Sequence, residues 1–125
     1  MKDLCLVCAE TVIEGRTEAE AAKLFQEYAE FTKRIKEGGH FVGANRLKPR
    51  DTTTTIRVRN GQVLVSDGPF AETKEQIGGY YLIEARDLNE AIRIAAQIPS
   101  ARDGCVELRP VADDPQTLAL GLDAR

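Results

Sequence analysis

Apolar positions recur along this chain with two periods, and the periods mark its elements. Residues 3–9, DLCLVCA, are apolar at nearly every step. An extended segment of that kind is covered on both faces, which predicts a central strand. From Thr17 the period changes to that of a helix. Ala21, Leu24, Tyr28, Phe31 and Ile35 fall on one face, Thr17 and Glu20 make a capping box, and Gly38 supplies a left-handed stop. Residues 40–47, HFVGANRL, predict a second strand. TTTTIRVRNGQVLVS alternates on both sides of Asn60-Gly61, a strong signal for a two-residue hairpin turn. That turn sets the register: Arg59 faces Gln62, Val58 faces Val63, Ile56 faces Val65 and Thr54 faces Asp67. One hairpin face then carries Ile56, Val58, Val63 and Val65, and the other carries Arg57, Arg59, Gln62 and Ser66.

GYYLIEA, residues 79–85, predicts another doubly apolar strand. A second helix follows, capped by Asp87 with Glu90 at the third position and stopped before Pro99. CVELRP, residues 105–110, predicts a last strand. The order strand–helix–strands–strand–helix–strand fits an α+β, ferredoxin-like split βαβ antiparallel sheet with an inserted β-hairpin. One domain is expected over residues 1–110, with a C-terminal tail at 111–125. Two helices cover only one face of such a sheet, yet two of its strands are apolar on both sides. A second copy of the sheet is the simplest cover, which predicts a homodimer; the tail leucines are a competing or additional one.

Composition narrows the class. The chain has 125 residues, 42% hydrophobic and 30% charged, with net charge −3, which suits a soluble globular domain. No basic stripe with interleaved aromatics points to nucleic acid. The N-terminal stretch MKDLCLVCAE lacks the long apolar run of a signal peptide or membrane span, so the protein is expected in the cytoplasm. Cys5 and Cys8 form a C-x-x-C spacing, but on a strand they point to opposite faces. All three cysteines are therefore expected to be reduced, with no metal and no cofactor.

The candidate chemistry lies in SDGPFAETKEQIGGYYLIEA, residues 66–85, which holds Asp67, Glu72 and Glu75. In the structural reading Asp67 ends its strand, accepts hydrogen bonds from the amides of Phe70 and Ala71, and caps a turn through residues 70–76, with Phe70 in the core. In the functional reading the corner edges a pocket. Asp67 is then a general base and Glu72 a second acid. His40, the one side chain that ordinarily titrates near neutrality, is a further catalytic candidate. Arg57, Tyr80, Tyr81 and Tyr28 are candidate substrate contacts.

DGPFAETKE with GGYY, the second helix and the VELRP strand resemble the DGPF or YCII-related domain family over nearly the whole chain to residue 110. The resemblance implies a dimeric α/β barrel and little about activity. Genes of this type often lie beside alternative sigma factors, which implies a regulatory setting. Relatives in the wider superfamily, one of them a dehydrochlorinase, carry a histidine on the first helix and an aspartate near its end. Tyr28 and Glu37 stand at those places here, so the pair is absent as such. Two functions are carried forward. One is a protein that binds a small organic molecule near the DGPF corner, with catalysis left open. The other is a non-catalytic regulatory or interaction module acting with a protein partner.

Overall fold

The computed structural model describes residues 1–9, 15–69 and 75–122. Its sheet is antiparallel with order β2-β5-β1-β6, from β1 (Lys2–Ala9), β2 (Phe41–Arg46), β5 (Gln76–Glu84) and β6 (Cys105–Pro110). β3 (Thr54–Arg59) and β4 (Gln62–Asp67) pair only with each other, as a separate two-stranded sheet. With helices α1 (Glu18–Glu37), α2 (Leu88–Ala95) and α3 (Pro115–Leu118) this is an α+β chain, compatible with a ferredoxin-like arrangement.

The helix ends follow local chemistry. Thr17 and Glu20 exchange both capping-box bonds, at 2.9 and 3.1 Å. At the other end the sequence expectation is one residue early. Gly38 remains helical, donating to the Arg34 carbonyl, and Gly39 takes the left-handed turn at φ +78°. Gly39 then donates to Lys36 and His40 to Ile35, the paired bonds of a Schellman stop. Asp87 caps α2 by accepting from the Glu90 amide. The hairpin turn has positive φ at both Asn60 and Gly61, and β3 and β4 pair in the register that such a turn dictates.

Alternation divides the main sheet into two faces. Asp3, Cys5, Val7 and Ala9 of β1 share the helix side with Tyr81 and Ile83 of β5. There Phe31 and Ile35 from α1 and Ala91, Ile94 and Ala95 from α2 close the core with Ile98. Fully burying a side chain such as Phe31 or Ile83 contributes about 1.5–3 kcal/mol. The opposite face carries Leu4, Leu6 and Cys8, cross-strand from Leu82, Tyr80 and Ile77. No described helix covers it. The tail leucines do not cover it either: Leu118, Leu120 and Leu122 are 48–73% exposed. The apolar hairpin face is equally open, with Ile56, Val58, Val63 and Val65 between 58% and 66% exposed.

One carboxylic acid breaks the pattern of the core. Asp3 lies on the helix side at 0% exposure, and neither carboxylate oxygen has a hydrogen-bond partner. Burial pushes its pKa above the ordinary 3.8, and the nearby Glu84 carboxylate adds to the shift. A raised native pKa means the folded state holds the proton more tightly than the unfolded chain. Asp3 then stabilises fully only below 3.8, and that contribution is lost as pH rises through the native value. Urea midpoints of the wild type and of Asp3→Leu should show the variant more stable at neutral pH, with the gap narrowing toward 3.8. A gap that widens on acidification contradicts this.

Candidate functional site

Of the seven residues that the sequence singles out, the structure brings three together. Tyr28, Tyr80 and Tyr81 line one cleft of about 290 Å³, between the first half of α1 and the sheet. Its other walls are Val7, Phe25, Ala44, Asn45, Arg46, Gly78 and Gly79. His40 is not part of it. It sits at the opposite end of β2, where Nδ1 lies 2.9 Å from the Glu84 carbonyl and 4.0 Å from Glu90 Oε1. Six residues of extended chain separate it from Arg46, about 20 Å. Asp67 ends β4 in an exposed position, and Arg57 is exposed on β3. Glu72, Phe70 and the amide of Ala71 lie outside the described residues, as does most of the turn expected over 70–76; Gln76 already belongs to β5.

Two tyrosines present their rings to the cleft, and their hydroxyls are already engaged. Thr32 Oγ1 donates to the Tyr28 carbonyl at 2.8 Å, so its single proton is used there. The 2.8 Å contact between Thr32 Oγ1 and Tyr81 Oη therefore has the phenol as donor. Tyr28 Oη pairs with Oγ of buried Ser100, and its ring lies parallel to that of Tyr81, with centroids 6.5 Å apart. Phe31 meets Tyr81 edge-on at 5.1 Å. Burial raises both phenol pKa values, offset partly by the bonds to Ser100 and Thr32. These groups are neutral, fixed walls at physiological pH rather than acids or bases.

Tyr80 alternates with Tyr81 and carries its ring to the open face of the sheet, where its hydroxyl accepts from Asn45 Nδ2 at 2.8 Å. Arg46 alternates with Asn45 and returns to the helix side. Its guanidinium carbon stands 5.1 Å from the centre of the Phe25 ring. Among the described residues Arg46 has no carboxylate partner. Among the described residues it is the one charged side chain in the cleft wall.

Glycines make the space. β5 bulges between its pairings with Val7 and Cys8, which leaves Gly78 as the extra residue. Gly79 pairs with Arg46, and a Cβ there would lie 2.8 Å from the Asn45 carbonyl oxygen. No side chain could fill the floor of the cleft at this point without moving β2. The sequence reading missed Phe25, Asn45, Arg46 and Gly79. Gly78-Gly79 was the available signal: glycines inside a strand mark bulges and close approaches. Among the described residues no three histidine, cysteine, aspartate or glutamate side chains converge on a metal position. No described helix is long and apolar enough to cross a membrane.

The chain belongs to the YCII-related domain family, whose model matches residues 4–114. It is also 34% identical, over 105 residues, to the uncharacterized protein R00369 of Rhizobium meliloti (strain 1021), covering 82% of this chain and 85% of that protein. Neither likeness carries an activity, so the chemistry rests on the cleft itself.

Gly79→Ala tests the cleft floor. The added methyl must displace backbone rather than a flexible side chain. The variant should unfold at lower denaturant, with a loss of about 1–3 kcal/mol. A midpoint equal to the wild type contradicts the close approach.

Proposed function

We propose that this protein binds a small apolar organic anion, an aromatic or branched carboxylate, in the cleft between α1 and the sheet. One observation carries the reading: among the described residues of the wall Arg46 is the single charged group, beside Asn45 and otherwise aromatic, aliphatic and glycine residues, and it has no described carboxylate partner. A guanidinium offers a planar fork of donors matched to a carboxylate. The rings of Phe25, Tyr28 and Tyr81 suit the apolar body of such a ligand. The volume of about 290 Å³ fits a molecule with one ring and a short acid arm. This moves the ligand away from Asp67 and His40 and toward the Arg46 end of β2. Turnover is not part of the proposal, because the tyrosine hydroxyls at the cleft are held in fixed hydrogen bonds.

Calorimetry with benzoate, phenylacetate and 3-phenylpropanoate, each beside its primary amide, tests the reading. The acids should bind about tenfold more tightly than the amides, the range expected for charge-assisted hydrogen bonds at a partly exposed site. Arg46→Met should erase that preference. Equal binding of acids and amides, or an Arg46→Met variant that keeps the preference, overturns it.

The proposed working form is a homodimer in which two sheets face each other as a dimeric α/β barrel. Leu4, Leu6 and Leu82 on the open face, together with the exposed hairpin valines, support it. The same exposed face is what a regulatory interaction module would display. A second copy accounts for it without a further partner. Burial on the order of 1,600 Å² is expected at such an interface. Light scattering should give twice the 13.8 kDa chain mass at micromolar concentration. A clean monomer removes this part of the proposal.

A further inference from the structure

Cys8 takes its true neighbour from the far end of the chain. In the β1–β6 pairing it stands directly opposite Cys105, the first residue of the edge strand. Facing residues in an antiparallel pair share one side of the sheet, with Cα atoms about 4.5–5.5 Å apart. That spacing lies inside the range a disulfide needs, about 4.4–6.8 Å. The backbone enforces the approach. A Cβ on Gly104 would lie 2.1 Å from the Cys8 carbonyl oxygen and 2.9 Å from Ala9 Cα. Only a residue without a side chain lets β6 begin so close to the end of β1. Cys5 belongs to the other face and is buried among core residues, so it cannot join this pair.

The structure holds both thiols in the reduced form. Cys105 is exposed and donates its S–H to Glu75 Oε2 at 3.6 Å. Cys8 is half-buried and donates to the Leu6 carbonyl at 3.7 Å. We infer that Cys8 and Cys105 are a redox modification site, a dithiol that closes into a cross-strand disulfide and staples the edge strand β6 to β1. The oxidant that fits is a small disulfide of the glutathione class, RSSR. The Cys105 thiolate attacks one sulfur of RSSR, the S–S bond breaks, and RSH leaves after taking up a proton. The Cys8 sulfur, losing its own proton, then attacks Cys105 Sγ and expels the second RSH. Two protein thiols are oxidised and one RSSR is reduced to two RSH. The order of attack follows exposure, and it agrees with the Cys8 thiol being pushed up to about 11, by burial first and then by Cys105 and the carboxylates of Glu107 and Glu75.

Closure has a structural consequence. It removes the S–H that Cys105 gives to Glu75, the residue just before β5, whose Gly78 and Gly79 form the cleft floor. The redox state of the pair is thereby linked to the chain segment entering the site. The pair lies at the corner of the open face, where β1 ends and the edge strand starts, and its chemistry does not depend on what the cleft binds.

The experiment treats the native full chain with oxidised glutathione and reads intact mass and peptide maps without reduction. Wild type and Cys5→Ser should each lose two hydrogens and yield one intramolecular peptide joining Cys8 to Cys105. Both should also show a higher urea midpoint that dithiothreitol reverses. Cys8→Ser should stop at a glutathione adduct on Cys105, and Cys105→Ser should stay unmodified. A lasting glutathione adduct on wild-type Cys105, a cross-link that includes Cys5 or joins two chains, or no reaction at all, each overturns the assignment.

Discussion

Two backbone approaches that only glycine permits hold this sheet together where its chemistry lies. At Gly79, β2 and β5 come so close that a methyl group would meet the Asn45 carbonyl; at Gly104, β6 starts against the carbonyl of Cys8. Both contacts lie toward the same end of β1, whose last residues pair with β5 on one side and β6 on the other. The first approach leaves a floor without side chains and places Arg46 beside it. The second sets two thiols face to face. Close approach of this kind requires glycine for lack of space, not for its backbone freedom: neither residue has a positive φ.

The sheet also sets the character of the cleft walls. Of the cleft's aromatic walls, Tyr81 belongs to the core and Tyr28 packs against it. Phe31 packs edge-on against Tyr81, and Tyr81 and Tyr28 are tied through Thr32 and Ser100 to α1 and to the 3-10 turn at Pro99–Ala101. Rigid, neutral rings offer shape and apolar surface. Among the described residues Arg46 alone adds charge. The bidentate pair of Arg102 with Glu27, at 2.7 and 3.1 Å, shows how another basic group near α1 is neutralised.

Much of the architecture was legible because its signals are local. The capping box of α1, the Asp87 cap of α2, the Asn60-Gly61 turn and the doubly apolar strands each depend on residues a few positions apart, and strand order follows from connecting them. The stop of α1 was misplaced by one residue because two consecutive glycines satisfy the same signal, and only the bond from Gly38 to Arg34 decides between them. The site was legible only in part. Tyr28 and Tyr81 were found as helix-face and strand residues, but their convergence needs the register of β1 with β5. Arg46 was hidden, since an arginine ending a strand reads as solvated surface until the pairing with Gly79 and the Phe25 ring place it on the helix side. The C-x-x-C spacing drew attention to Cys5 and Cys8, whereas the pairing that matters, Cys8 with Cys105, is created by the β1–β6 register alone.

The most direct measurement of the central claim is a 15N-resolved NMR titration of the native protein with benzoate. The account predicts that the largest shifts fall on the amides of Ala44, Asn45, Arg46, Gly78 and Gly79 and on the Arg46 Nε–H. Residues around His40 and the Asn60-Gly61 turn should stay unchanged. Shifts centred on His40 or on the hairpin near Asp67, with the Arg46 signals unmoved, would contradict it.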